Sequence, residues 1–273
     1  HNDIPEFSRT LQSSHSETLK KFSGLVKKLA IQERCEVHAI RNRNAICGGY
    51  AFSHLTDLIL EIPLLRFTDD RLSSTLARHL ISRATLRAAK EGRRYILISD
   101  TCISPGTEAA LHSESFVRHA TGWAKATLLG IHDAPTISAQ IKHPKFKELE
   151  VSTAHIRNDE KDSAYALAVE KQLWTAKVSG SKLPCFVVPI RPGWAERLFD
   201  ENLANETFLG AEISLTLNSA AVYYRSKNRS GLTMPGRILW HVSKGEKFSN
   251  TSTIRAASLL TSIEVDEATL LYR

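Results

Sequence analysis

The sequence predicts an α+β protein of two folded domains, and three observations carry that prediction. A hairpin of two strand-like runs is followed by strand, helix, strand, short helix and strand within about 130 residues. A later part, from about residue 183, holds short apolar runs at regular spacing with one small helix near its front. Between them Pro135, Pro144 and the charged stretch HIRNDEKD break both patterns. A chain of 273 residues suits two cores better than one. The expected boundaries are 1–130, a connector with an amphipathic helix over 131–180, and 181–273.

Taken in order, residues 15–31 place Leu19, Phe22, Leu25, Val26 and Leu29 at helical spacing, with paired lysines on the other face. CEVHAIR and AICGGYAFS flank the turn RNRN, which predicts a hairpin, and LILEIPLLRF is the third strand. Leu72, Leu76, Leu80, Ala84 and Ala88 form the apolar stripe of the next helix, and Gly92 is placed to end it. YILIS has few charges, as a central strand covered on both faces requires. Pro105 and Gly106 open a short helix through Leu111, and the run between Gly122 and Gly130 supplies the last strand. Residues 163–178 read as one helix with Tyr165, Ala166, Val169, Leu173 and Trp174 inward. Beyond the GSKLP segment, CFVVPI, the helix-like WAERLFD, ISLTL, AAVYYR, RILWHVS and IRAASLLTSIEV predict a compact β-barrel.

Composition narrows the function classes. No run of about 18 apolar residues exists, which argues against a membrane span. The start lacks the pattern of a secretory signal, does not begin with Met, and the end stops inside a helix-like run, so a piece of a longer chain is expected. Cys35, Cys47, Cys102 and Cys185 lack metal-ligand or disulfide spacing, which predicts reduced thiols in the cytoplasm and no metal. The net charge of +7 permits a polyanionic partner. Residues 66–94 hold eight Lys/Arg against three Asp/Glu, with Arg83, Arg87, Lys90 and Arg94 expected on one helix face, where they suit either solvent, phosphate or an acidic protein partner.

The order LILEIPLL, an arginine turn, RLSSTLARHLISRATLRAAKEG, RRYILISD and ALHSESF resembles the acyl-CoA-binding centre of the GNAT-type N-acyltransferases over about residues 15–128. That resemblance implies a GNAT-like mixed α/β domain using acetyl-CoA. The family's R/Q-x-x-G-x-G/A turn corresponds to Arg71, Leu72, Ser73, Ser74, Thr75 and Leu76, so Arg71 is kept while Ser74 and Leu76 replace the two small residues. Leu76 is expected to pack inward on the helix. The family's Tyr-x-x-x-Gly-Phe, whose tyrosine protonates the departing thiolate, corresponds to Leu111 through Phe116 with Ser115 at the glycine. The acid is therefore missing, and His112 substitutes for it only if the helix is rotated. The resemblance places the general base on the strand before the turn, at Glu61, where apolar neighbours would raise a carboxyl pKa.

The C-terminal part resembles a PUA-like domain of the ASCH/EVE kind, without a clear K-x-x-E-x-R motif. The resemblance implies a cleft for RNA or a modified nucleotide. Tyr223, Tyr224 and Trp240 are the candidate stacking platforms, and Arg225, Arg237, Lys244 and Arg255 the phosphate or base partners. Trp194 is expected in the core. Residues 181–273 carry eleven basic and nine acidic residues, which fits a pocket for one base better than nonspecific duplex binding. Three readings follow: an acyl-CoA-dependent N-acyltransferase coupled to a nucleic-acid-binding module, a non-catalytic nucleic-acid-associated regulatory or scaffold protein, and a pair of assembly modules.

Overall fold

The structure, a computed structural model, describes residues 4–12, 17–54, 56–68, 73–147, 149, 163–173, 175–198, 231–245 and 251–266. The chain divides into two compact units, His1–Asn158 with Gln172–Ser179, and Asp159–Lys171 with Gly180–Arg273.

The first unit opens with α1 (Ile4–Leu11) and α2 (Leu19–Ile31), the latter started by Thr18, whose hydroxyl accepts from Lys21 N. Strands β1 (Cys35–Asn42), β2 (Ala45–Ser53) and β3 (Ile59–Phe67) form an antiparallel meander, so the expected hairpin is present. Helix α3 (Ser73–Lys90) then crosses to β4 (Tyr95–Ile98), which lies parallel to β3. Helix α4 (Pro105–Ser113) leads to the antiparallel pair β5 (Val117–His119) and β6 (Gly122–Ala126). The sheet order is β1-β2-β3-β4-β6-β5, with β3–β4 its one parallel pair.

Each face of this sheet is covered. Leu60, Ile62, Leu65 and Phe67 of β3 join Ile96, Ile98 and Trp123 beneath α3 and α4. Leu64 of β3 joins Ala51, Phe7, Phe22 and Val26 beneath α1 and α2. Gly49 admits α1 to the sheet, because a Cβ there would come within 2.2 Å of the Phe7 ring. At Gly122 a Cβ would meet the Ile98 carbonyl oxygen at 1.9 Å, so β6 can close on β4 only with glycine there.

The inward stripe of α3 is Ala77, Leu80, Ile81, Ala84 and Ala88; Leu76 is half-buried at its margin, and Ala77 takes the inward place expected of it. Gly92 ends the helix as expected, with φ +73° and Arg93 N–H bonded to Ala88 O. Because the helix stops at Lys90, Arg94 is off the basic face and its guanidinium donates to Gln140 O at 3.3 Å.

Two expectations for the connector are corrected. Pro135 starts a helix: α5 (Ala134–Ile141) has Pro at its first turn and Asp133 as N-cap, positions where the missing N–H costs nothing. The helix expected over 163–178 is α6 (Ser163–Gln172) only, because Ala176–Val178 forms β8 and pairs in parallel with β7 (Gly130–His132). Helical periodicity could not register that edge, which lies more than forty residues earlier in the chain.

In the second unit β9 (Cys185–Ile190), α7 (Pro192–Leu198), β10 (Gly236–Val242) and β11 (Thr253–Leu260) match the expected runs. The strands form a three-stranded sheet in the order β11-β10-β9, with β9 parallel and β11 antiparallel to β10. The expected runs ISLTL and AAVYYR lie outside the described residues. Among the described residues no helix is long and apolar enough to cross a membrane.

Candidate active site

The first unit's central feature is a parting of β3 from β4. The two strands pair from Ile59–Tyr95 to Ile62–Ile98, and the last bond runs from Ser99 N to Ile62 O. Pro63 follows, which has no N–H to continue the ladder. Thr68 N–H bonds back to Cys47 O in β2, so alternation turns the peptide groups of Leu65 and Phe67 toward the opening. Asp100 fills the gap where a carbonyl of β4 would have been: its Oδ2 accepts from Leu65 N at 2.9 Å.

Asp100 is also half of a buried ion cluster. Arg66 Nε donates to Asp100 Oδ2 at 2.6 Å and its Nη2 to Oδ1 at 2.7 Å, while Nη1 donates to Glu17 at 2.6 Å. Burial disfavours the guanidinium charge, but the two carboxylates more than reverse that and push its pKa up. The cluster ties the start of α2 to the open end of the strand pair.

Glu61 stands at the closed end. Its neighbours Leu60 and Ile62 enter the core beneath α3, so its own side chain takes the opposite face, half-buried. Ser99 Oγ donates to Glu61 Oε1 at 2.6 Å. Register sets Ser53 directly across from Glu61 and Cys35 directly across from Ser53, so these side chains form a row on one face. Burial pushes the Cys35 thiol pKa up, and the charges of Glu61 and Glu36 add to the rise. Ser53 Oγ is buried with no hydrogen-bond partner among the described residues.

At the start of α3, Ser73 is buried, Thr75 half-buried and Ser74 exposed. Leu76 leans on the margin of the core, and Ser74 is at the surface of the first turn. Arg71 and Leu72 lie outside the described residues. The start of α4 is close by, since a side chain at Gly106 would lie 3.5 Å from Ser73 Oγ and 3.7 Å from Ser74 Cβ. The N-cap hydroxyl of Ser104, bonded to Thr107 N at 3.2 Å, belongs to the same hydroxyl-rich corner.

The end of α4 follows the motif's geometry without its glycine. Ser115 adopts φ +61°, Phe116 N–H bonds to Leu111 O and Ser115 N–H to His112 O, the bond pair of a helix closed by a left-handed residue. Leu111 is fully buried where the tyrosine would stand. His112 is exposed and its ring packs edge-on against Trp123 at 4.7 Å, so the rotation it needs is absent. Lys125, also under this helix end, is buried, donates to Glu114 O at 2.6 Å and lies 5.6 Å from the Phe116 ring centre. Burial lowers its pKa to about 8.

The basic face of α3 is partly committed. Arg87 donates to Glu36 at 3.1 Å and to Glu91 at 2.7 Å, and lies over the Phe52 ring at 5.0 Å. The Arg87 bonds draw the Glu36 pKa down to about 2.

The second-unit candidates are placed as follows. Arg237 pairs with the fully buried Glu170 of α6 and donates to Ser181 Oγ at 3.0 Å. Trp240 is buried in the core of its sheet with Nε1 donating to Ser258 Oγ at 2.9 Å, so neither offers an open face to a ligand. Lys244 is exposed; Arg255 is half-buried at the bulge between β10 and β11. Tyr223, Tyr224 and Arg225 lie outside the described residues. Trp194, expected in the core, is 57% exposed on α7. Among the described residues no group of three His, Cys, Asp or Glu side chains could hold a metal ion.

Sequence reasoning named Glu61 as a candidate and did not name Ser53, Ser99, Asp100 or Arg66, which the structure places around it and at the parting of the strands. No local motif marks them, since each acquires its neighbours only through strand register.

No protein-family model and no curated protein matches the chain. Solved structures similar to part of it include an aminoglycoside 6'-N-acetyltransferase from Enterococcus faecium, at 12% identity, covering 36% of this chain and 53% of that one, with a TM-score of 0.30. An acetyltransferase from Thermus thermophilus is similar at 16% identity over 46% of this chain and 91% of its own, with a TM-score of 0.37. A GNAT family acetyltransferase from Elizabethkingia anophelis, solved with acetyl-CoA bound, is similar at 16% identity over 34% and 60%, with a TM-score of 0.29. The chain thus spans about half the length of the first of these. In the first unit, the hairpin precedes a parallel β-α-β pair that parts beyond Ile62 and Ile98.

Proposed function

We propose that the first unit binds an acyl-CoA thioester in the gap between β3 and β4 and transfers the acyl group to an amine. The observation that carries this reading is the parting of the strands with Glu61 at the closed end, held by Ser99. The peptide group of Phe67, turned toward the opening beyond the Asp100-bonded Leu65 N–H, suits an amide of a pantetheine arm. The first turn of α3 suits a pyrophosphate, through the N–H groups of a helix start and the Ser74 hydroxyl. From Glu61 to Phe67 the strand covers about 20 Å, the span such an arm needs. Arg71 supplies the phosphate-binding cation on this reading. Glu61 accepts the proton as the neutral amine attacks the thioester carbon, the C–S bond breaks, and water takes the role of protonating the thiolate that Leu111 cannot fill.

Leu111 supports a second reading, in which the unit binds an acyl-CoA or a partner without turnover. A fully buried leucine in place of the acid removes one catalytic group while leaving the gap intact. The nucleic-acid pocket in the second unit stays a proposal resting on the resemblance of its sequence, with Lys244 and Arg255 as the remaining described candidates.

Calorimetric titration with acetyl-CoA, beside Arg71→Ala, tests both readings. Micromolar binding lost in Arg71→Ala, with acetyl transfer to some member of an amine panel, is the expected result. Binding without transfer selects the second reading, and no heat at millimolar ligand overturns both.

A further inference from the structure

We infer that the outer edge of β1 and the apolar groove beside it form a docking site for an extended, acidic segment of a partner protein, which adds to the sheet as a further strand.

The six-stranded sheet ends on two unlike edges. Strand β5 is three residues long, too short to template another strand, whereas β1 runs over eight. His54 N–H bonds to Arg34 O, and register carries that hydrogen-bonded phase to Glu36–Phe52, His38–Tyr50 and Ile40–Gly48. The peptide groups of Val37 and Ala39 therefore point away from β2, to the side where the sheet has no further strand among the described residues. Cys35 N–H points the same way but is taken by Gln32 O, and the bulge between Ile40 and Arg41 breaks the edge at its other end. Val37 and Ala39 thus present a donor and an acceptor each, in the row that an added strand pairs with.

The same edge has a place for side chains. Ile4 and Phe7 of α1, Val26 and Ala30 of α2, and Val37 and Ala39 themselves line an apolar groove of about 330 Å³. Val37 packs against the core beneath α1 and α2, and a residue paired with it from an added strand puts its side chain on that face, over the groove. Through Ile4 the groove meets a second apolar recess, lined also by Pro5, Ile31, Lys27 and Lys28. Ile31 is 76% exposed there.

Charge selects the occupant. Residues 4–44 hold eight Lys/Arg against four Asp/Glu, and α2 carries Lys20, Lys21, Lys27 and Lys28 with no acid. Three of the four acids are engaged: Glu6 faces Arg41 at 3.8 Å, Glu17 bonds Arg66 and Glu36 bonds Arg87. A second copy pairing β1 to β1 is related by a twofold axis normal to the sheet, which sets its α2 on the same face and brings Lys27 and Lys28 toward their counterparts. That arrangement suffers like-charge repulsion, whereas an acidic segment gains from the same lysines. Apolar residues at alternate positions of the segment fill the groove, and carboxylates at its ends meet Lys27 and Lys28.

The test is a calorimetric titration of the purified chain with the synthetic peptide EEVTVTVEE. The expected result is saturable binding at micromolar peptide that weakens with salt and falls about tenfold in Ala39→Pro, since proline removes one outward N–H and no bond to β2. The double variant Lys27→Glu with Lys28→Glu should turn the preference toward KKVTVTVKK. No saturable heat at millimolar peptide, or binding that Ala39→Pro leaves unchanged, overturns the site. Should Ala39→Pro fail to fold, the peptide itself carries the test: N-methylation of every second residue should abolish binding in one phase and spare it in the other, because only alternate N–H groups of an added strand face β1. Equal effects of the two phases overturn strand addition. Sedimentation of the chain alone tests the other occupant: a monomer is expected, and a dimer that Ala39→Pro dissolves would give this edge to a second copy and overturn the proposal.

Discussion

Two buried cations of the same sheet are held in opposite ways. Arg66, on β3, bonds to two carboxylates and gains charge stability from them; Lys125, on β6, bonds to one carbonyl oxygen beside the Phe116 ring, and burial brings its pKa down to about 8 against the weaker pull of the Glu114 carboxylate. The first arrangement secures the place where β3 and β4 part. The second closes α4 with a cation at its carbonyl end, in a position where the charge is tolerated at a cost. The difference shows where this fold concentrates its electrostatic support: at the place where β3 and β4 part, not beneath the end of α4.

Removing Arg66 should therefore have the largest effect. Arg66→Met leaves Asp100 and Glu17 facing each other without a cation, and loss of one member of a buried pair costs about 3–5 kcal/mol. Urea unfolding should show that loss for Arg66→Met and a much smaller one for Arg118→Met, whose pairing with Glu108 is exposed. Equal losses would mean that the buried cluster contributes nothing special. Acetyl-CoA binding, if the proposed site is correct, should fail in Arg66→Met even below its unfolding transition, because Asp100 then loses the partner that aims it at Leu65 N.

Lys125 should give the next largest effect, and its sign is opposite. The folded-state pKa, about 8, lies below the unfolded value near 10.5. Below about pH 8 both states carry the proton and the full cost of burying the charge is felt. Between about pH 8 and 10.5 the unfolded state still binds a proton that the folded state has lost, so stability rises with pH through that window, by about 3 kcal/mol in all. Lys125→Met should flatten this rise and be more stable than the native chain at pH 7, less the lost bond to Glu114 O. A native profile that falls across the same window would contradict the burial argument.

These two residues also mark what could and could not be read from the sequence. The hairpin, the β-α-β unit and the helix end at Gly92 were legible, because alternation, helical spacing and glycine act locally. Glu61 was legible from its place on the third strand. Arg66 was counted only as one charge in a basic stretch, and Asp100 went unnoticed at the end of a strand, because their bond exists only where two strands separate. Ser53 and Ser99 were invisible for the same reason, being joined to Glu61 by register across β2, β3 and β4. Pro135 misled because a proline inside a broken pattern reads as a stop, whereas after an Asp N-cap it is a start. Leu76 was placed on the inward stripe by spacing alone, and the smaller Ala77 took that place beneath the sheet.

The smallest effect is expected beside Lys125, at Ser115. The end of α4 takes the left-handed backbone that glycine favours with a serine in its place: Ser115 holds φ +61°, and both closing bonds, Phe116 N–H to Leu111 O and Ser115 N–H to His112 O, are made. A side chain in that region costs about 1 kcal/mol or slightly more, and glycine's freedom in the unfolded chain returns part of the gain. Ser115→Gly should thus raise the melting temperature by only about 1–3 °C. If it lowers stability instead, the serine side chain is making a contact that outweighs the backbone strain. The same substitution leaves Leu111 buried, so it should restore no acyl transfer by itself; a gain in turnover would show that the shape of this helix end, and not the missing acid, had limited the reaction.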